Sequence, residues 1–207
     1  MAKSVFIVID GIDGSGKSEM VKLLHNYLFS KSKDYRILTT REPTNGKYGR
    51  QIRGILARDK DPKTNALRLF ELFINDRQEH VTHTIMPFLR KKNGTNIIIC
   101  DRYYYSTIAF QSMQGLDIKM LVDKNKRFPK PDLAVILDLI PEVALKRIRI
   151  RKKEKFEQIG FMSRLRKKFL ELPMLLRDKI KVIDASKDKN KVFQNIKKEV
   201  DIILRHF

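Results

Sequence analysis

The fold is decided by one stretch, Val5-Phe6-Ile7-Val8-Ile9-Asp10-Gly11-Ile12-Asp13-Gly14-Ser15-Gly16-Lys17-Ser18. Val5 to Ile9 is a near-continuous apolar run, the pattern of a strand covered on both faces in a parallel sheet. Gly11 to Ser18 satisfies G-x-x-x-x-G-K-[ST], and a helical apolar stripe opens at Lys17. In such a strand–loop–helix unit the glycines let successive backbone N–H groups turn inward around a phosphate, and the helix N-terminus adds a favourable dipole. The spacing therefore predicts a nucleoside triphosphate held by Gly11, Asp13, Gly14, Ser15, Gly16, Lys17 and Ser18. Lys17 is expected to reach the β/γ-phosphates and Ser18 to ligate Mg²⁺.

Four further apolar runs follow, at Tyr35 to Thr39, Asn96 to Cys100, Leu133 to Leu137 and Ile180 to Ile183. Between them lie helix-periodic stretches. Lys17 to Phe29 carries Met20, Val21, Leu24, Tyr27 and Leu28 on one stripe, and Ala66 to Phe88 reads as one long helix. Pro141 suits the first turn of a helix to about Arg151, and Val192 to Leu204 makes a last one. Strand alternating with helix predicts a doubly wound five-stranded parallel α/β sheet of the P-loop NTPase type, with helices on both faces. The chain of 207 residues shows no linker or internal repeat, so residues 1–207 read as one domain with a short lid at about 147–160.

Composition narrows the classes. A 42% hydrophobic share with 12 Phe excludes a disordered chain. One Cys permits no internal disulfide and no thiolate zinc cluster, and no apolar run reaches the ~18 residues of a membrane span. A cytoplasmic protein is the expectation. The formal charge of +20 points to an anionic partner or substrate, or simply to a solvated basic surface. His80 and His83, on one helix face with Asp76, read as surface side chains, not metal ligands, and Cys100 reads as packing at a strand end.

Phosphoryl transfer is catalysed by positioning and charge, so the chain must add a carboxylate near the metal and cations around the phosphates. Carboxyl ends of strands are where they belong. Asp101-Arg102 follows the third apolar run and Arg41-Glu42-Pro43 the second. Asp101 is a candidate Mg²⁺ ligand or a helix N-cap, and the five fixed donors of Arg102 suit a phosphate.

Taken in order, these motifs resemble the thymidylate kinases, P-loop enzymes that phosphorylate dTMP with ATP. The resemblance runs through Thr40-Arg41-Glu42-Pro43, Leu72-Phe73 with Arg77, Asp101-Arg102-Tyr103, Ser106-Thr107-Ile108-Ala109-Phe110-Gln111, Pro131-Asp132-Leu133, Pro141 to Arg147 and Asp184-Ala185. It implies ATP as donor, Mg²⁺, nucleotide substrates without nucleic acid or membrane partners, and a homodimer formed through the helix from Ala66. It also implies Phe73 stacked on thymine, with Arg77, Thr107 and Gln111 bonding to the base. Asp13 and Glu42 would lie near the sugar and metal, Arg53 and Arg102 would clamp the acceptor phosphate, and Phe110 would lie against the deoxyribose. Arg147 and the Ala185 backbone would meet adenine. Gly14 follows Asp13, so the loop itself offers no extra cation. The basic run Arg147 to Lys155 therefore looks like a lid that donates one, with Arg149, Arg151 or Lys155 as candidates and Arg151 taken as catalytic beside Lys17, Asp101 and Arg102. The family's usual glycine after Arg-Glu-Pro is Thr44 here. Two other readings stay open: a deoxynucleoside kinase or broader dNMP kinase, with Glu42 offered as base, and a nucleic-acid-binding P-loop ATPase.

Overall fold

Apolar strands that cannot face water on either side need helices above and below, and the chain supplies them. The computed structural model describes residues 3–58, 64–92, 94–148 and 159–205. Its strands are β1 (Lys3–Gly11), β2 (Tyr35–Arg41), β3 (Thr95–Asp101), β4 (Leu133–Asp138) and β5 (Ile180–Asp184). They form one parallel sheet in the order β2-β3-β1-β4-β5. β1, β3 and β4 are the most deeply buried, which is why they carry uninterrupted Ile, Val, Leu and Ala.

On one face lie α1 (Lys17–Lys31) and α9 (Lys189–Arg205), which touch each other across the sheet. The other face is covered by α3 (Ala66–His80), α4 (Met86–Leu89), α5 (Tyr104–Met113) and α8 (Ile159–Leu175). α2 (Lys47–Arg58) packs on α3, α6 (Ile118–Asn125) on α5, and α7 (Pro141–Ile148) on α8. The strand order reverses at β1, so the loop after it opens at the switch point where doubly wound sheets bind ligands.

Two features differ from the sequence expectation. The stretch from Ala66 is not one uniform α-helix: residues Val81–Ile85 widen into a π turn between α3 and α4. Pro87 opens α4, and its missing N–H accounts for an interrupted ladder there. α2 fills a stretch between β2 and α3 for which no helix is expected above. Its Tyr48, Ile52, Ile55 and Leu56 form a small cluster with Leu69, Leu72 and Phe73 of α3. Most of the expected lid, and Arg149, Arg151, Lys152, Lys153 and Lys155 with it, lies outside the described residues.

Candidate active site

The loop after β1 is built on backbone that side chains resist. Gly11, Gly14 and Gly16 have φ of 137°, 80° and 99°. A Cβ at Gly11 would lie 2.6 Å from the Leu137 carbonyl oxygen and one at Gly14 2.5 Å from that of Ala144, so the loop is wedged against the end of β4 and the middle of α7. Gly16, which opens α1, has no atom of the described residues within 4 Å of such a Cβ. Beside this open side, Ser15 Oγ is buried with no partner among the described residues. An open concavity with a spare hydroxyl at a helix N-terminus fits a phosphate group.

Lys17 is buried and donates to the carbonyl oxygens of Gly11 at 3.1 Å and Ile12 at 2.9 Å. Burial lowers its pKa, against the opposing charges of Asp13 and Asp101. Ser18 Oγ donates to Asp101 Oδ2 at 2.8 Å, and Asp101 Oδ1 is buried without a partner among the described residues. Two adjacent hard oxygens, one carrying an unused carboxylate site, fit Mg²⁺ as a ligand set.

Arg102 crosses between the two halves of the site. It has φ 72°, a left-handed conformation that a non-glycine residue adopts only when its surroundings hold it. Its Nη2 donates to Asp13 Oδ1 and its Nη1 to Ser106 Oγ at 3.1 Å. Arg102 beside it holds the Asp13 carboxyl down to about 2, with a further contribution from Lys17.

Behind this pair stands Asp10, a residue sequence reading passes over. It is fully buried, and each of its oxygens accepts twice. Oδ1 takes Gly11 N at 2.8 Å and Ser106 Oγ at 2.6 Å; Oδ2 takes Ser106 N at 3.0 Å and Tyr103 N at 3.3 Å. Burial pushes its pKa up, Arg102 and these donors pulling the other way. Asp10 thus ties the phosphate loop to the turn that carries Arg102.

The cleft above the sheet encloses about 670 Å³, within the range of ligand pockets. Gly14, Gly16, Lys17 and Ser18 line one end, and Glu42, Arg53, Phe73, Arg77, Thr107 and Phe110 line the other. Asp13, Asp101 and Arg102 also line it. Arg53 donates to the carbonyls of Pro43 at 3.1 Å and Thr44 at 2.8 Å, which fixes the acceptor loop against α2. Phe110 meets Phe161 edge-on, with ring centroids 5.4 Å apart. Arg147 reaches Ala185 O at 3.1 Å, so those two expected adenine neighbours are adjacent.

Several expected residues sit elsewhere or in other company. Gln111 is fully buried, donates to Gln114 Oε1 at 3.2 Å and does not line the cleft. Glu42 is buried, and its oxygens are taken by Arg77 and His80. His80 corrects the surface reading: it is 5% exposed and bonds to Glu42 and Thr40. Three-residue spacing from an exposed His83 concealed that His80 turns inward. Thr44, the departure from the family pattern, donates from N and Oγ1 to the Asp76 carboxylate at 2.7 and 2.6 Å, docking its loop on α3. Cys100 is packed as expected, its thiol donating to Arg102 O at 3.0 Å while burial pushes its pKa well up.

Comparison with known proteins agrees with this geometry. The family described as Thymidylate kinase matches residues 9–196. A probable thymidylate kinase of Archaeoglobus fulgidus is 33% identical over 202 residues, covering 97% of this chain and 96% of the relative. One from Thermococcus kodakarensis is 35% identical over 208 residues, with 97% and 98% covered. A thymidylate kinase of Desulfotalea psychrophila is 42% identical over 142 residues, with 69% and 67% covered. With nearly its whole length matched and a phosphate loop facing a second polar pocket across one cleft, the chain belongs to the thymidylate kinase family.

Proposed function

We propose that this chain transfers the γ-phosphoryl group of ATP to dTMP, giving dTDP and ADP, with Mg²⁺ required. The carrying observation is the cleft itself: a phosphate loop at one end, a pocket of Phe73, Arg77 and Thr107 at the other, and Arg102 between them. In the reaction the bond from the γ-phosphorus to its bridging oxygen breaks, and one forms to a phosphate oxygen of dTMP. That acceptor oxygen is already anionic near pH 7, so no general base is needed. The chain's task is to align two anions that repel each other.

Lys17 bears on the donor phosphates, while Arg53 and Arg102 hold the acceptor phosphate. Asp13 keeps the Arg102 fork turned toward the loop. Ser18 and Asp101 would hold Mg²⁺, which neutralises charge on the donor phosphates when bound. Arg147 and Ala185 O flank the donor base, and a basic residue of the 149–155 run, Arg151 first, closes over the transferring group. Phe73 stacks on thymine, Thr107 and Arg77 bond to it, and Phe110 bears on the sugar. The protein acts in the cytoplasm as a homodimer; exposed Leu67 near the start of α3 is a surface that such contact would cover.

The deoxynucleoside-kinase alternative needs a base to take a proton from a 5′-hydroxyl. Glu42 suits that role poorly, because both its oxygens already accept bonds and one faces a guanidinium. A coupled ADP-release assay across dTMP, dUMP, dCMP, dGMP, thymidine and no acceptor tests the proposal. Fastest turnover on dTMP is expected; thymidine phosphorylated in preference to dTMP overturns it.

A further inference from the structure

Arg77 is fully buried and held from three elements. Its Nε donates to Glu42 Oε2 at 2.9 Å, and Nη2 lies 2.8 Å from the same oxygen as an ion pair. Nη2 also donates to Thr107 Oγ1 at 2.9 Å, and Nη1 to Asn125 Oδ1 at 2.6 Å. The guanidinium has five N–H groups, so one on Nη1 is left without a protein acceptor among the described residues. Arg77 lines the cleft, and this is the donor it has to spend on a ligand.

Arg77 uses only one oxygen of Glu42. The other, Oε1, is 3.0 Å from His80 Nδ1. A carboxylate can only accept, so Nδ1 carries a proton. In the neutral ring Nε2 is then an acceptor, and the Thr40 hydroxyl 2.7 Å away donates to it. The row Thr40, His80, Glu42, Arg77 runs from the end of β2 through α3 into the pocket.

We infer that His80, oriented by Thr40, is a positioning residue for nucleobase recognition: it holds Glu42 to a one-oxygen grip on Arg77. Without that restraint Oε1 is a buried acceptor with nothing to accept. The carboxylate gains by rotating until both oxygens face the guanidinium fork, the stronger two-oxygen arrangement. Nη2 then leaves Thr107, the fork turns, and the spare Nη1 donor moves off the base. The inference rests on the proposed dTMP reading and names what sets its base preference.

Steady-state kinetics of the full chain with dTMP, dCMP and ATP test it, using His80→Leu, His80→Asn and Thr40→Val. Losing a hydrogen bond to a charged group corresponds to about tenfold or more in binding, so His80→Leu should raise KM for dTMP by about that factor. Its kcat and KM for ATP should stay within about threefold, and its preference for dTMP over dCMP should fall at least about fivefold. His80→Asn, whose amide N–H stands in for Nδ1–H, should recover most of both. Thr40→Val removes one hydroxyl from an otherwise matched side chain and should shift both in the same direction by about two- to threefold; it carries the test if His80→Leu does not fold. Wild-type KM and base preference in Thr40→Val and in any folded His80 variant overturn the inference while leaving the dTMP reading intact. Equal losses in kcat and both KM values, unrelieved by His80→Asn, also overturn it. A wild-type protein that does not favour dTMP over dCMP overturns the inference and the dTMP reading together.

Discussion

Asp10→Asn probes the joint between the two halves of the site. The substitution keeps the shape of the side chain but turns one acceptor oxygen into an NH₂ donor. Where that NH₂ replaces Oδ2, the backbone N–H groups of Tyr103 and Ser106 lose their acceptor. Where it replaces Oδ1, Gly11 N–H is stranded and the Ser106 hydroxyl must turn its proton away. Either way one or two buried donors are left unpaired, at ~1–3 kcal/mol each. Burial raises the Asp10 pKa, meaning the carboxylate itself carries a desolvation cost that the amide avoids. The net loss should be ~2–3 kcal/mol after that relief.

At ~2–4 °C per kcal/mol for a chain of this length, Tm should fall by roughly 4–12 °C in a calorimetric or circular-dichroism melt. Turnover should suffer beyond stability, because Ser106 is also the acceptor for Arg102 Nη1. Arg102 holds a left-handed backbone that costs on the order of 1 kcal/mol, so looser surroundings should let it relax. A fall in kcat of about 10- to 100-fold is expected at temperatures where the variant is folded. A Tm within about 2 °C of wild type together with kcat within about twofold would refute the reasoning, since bonds and burial would then cancel.

Arg102→Lys removes the fork that spans Asp13 and Ser106, and should lower kcat/KM for dTMP at least about 100-fold while KM for ATP stays within about threefold, measured by the coupled assay. Gly49→Ala places a Cβ 1.9 Å from the Thr44 carbonyl oxygen, so the acceptor loop must shift; ~3 kcal/mol or more of stability should be lost in urea unfolding, with ordinary melting taken as disproof. Phe110→Ala should reduce the preference for deoxy over ribo acceptors by about tenfold, corresponding to ~1.4 kcal/mol, in competition between dTMP and its ribo analogue. Asp13 has a folded pKa of about 2, below its unfolded value of 3.8, so its ion pair with Arg102 stabilises fully above about pH 4 and is lost as pH falls toward 2. Urea midpoints of wild type and Asp13→Asn should therefore converge through that window, and a constant gap would contradict the pairing.

Strands and the phosphate loop were legible because each rests on a local rule. An apolar run rich in β-branched residues has few other stable places than the middle of a sheet, and each of the five strands contains one such run. α8 also carried its own signal, with Met162, Leu165, Phe169 and Leu172 at helical spacing, but a basic run before it and Pro173 within it masked the period. α2 was hidden by Gly49 and Gly54, which weaken propensity in a helix held by packing on α3. Asp10 and His80 were hidden for a different reason. Their partners, Ser106 and Glu42, lie 96 and 38 positions away, and no local pattern encodes a buried hydrogen bond across that distance. Arg77 and Thr107 came from resemblance; the Asn125 contact that completes their pocket had no motif to announce it.

The total charge of +20 is a poor guide to the site, because most of it lies outside the cleft. Among the described residues six cations, Lys17, Arg41, Arg53, Arg77, Arg102 and Arg147, line the cleft against four carboxylates, Asp13, Glu19, Glu42 and Asp101. Lys17 and Arg102 share Asp13, and Arg77 is neutralised by Glu42. Arg53 and Arg147 instead donate to neutral carbonyl oxygens, which orient a guanidinium without cancelling its charge. Those two stand on different elements lining the cleft, Arg53 on α2 and Arg147 on α7 beside Ala185. The charge of Arg53 and Arg147 is thus added to that of Lys17, Arg77 and Arg102, which are already matched to acids. That surplus attracts anionic phosphates, while the matched pairs hold their cations oriented until the phosphates themselves arrive.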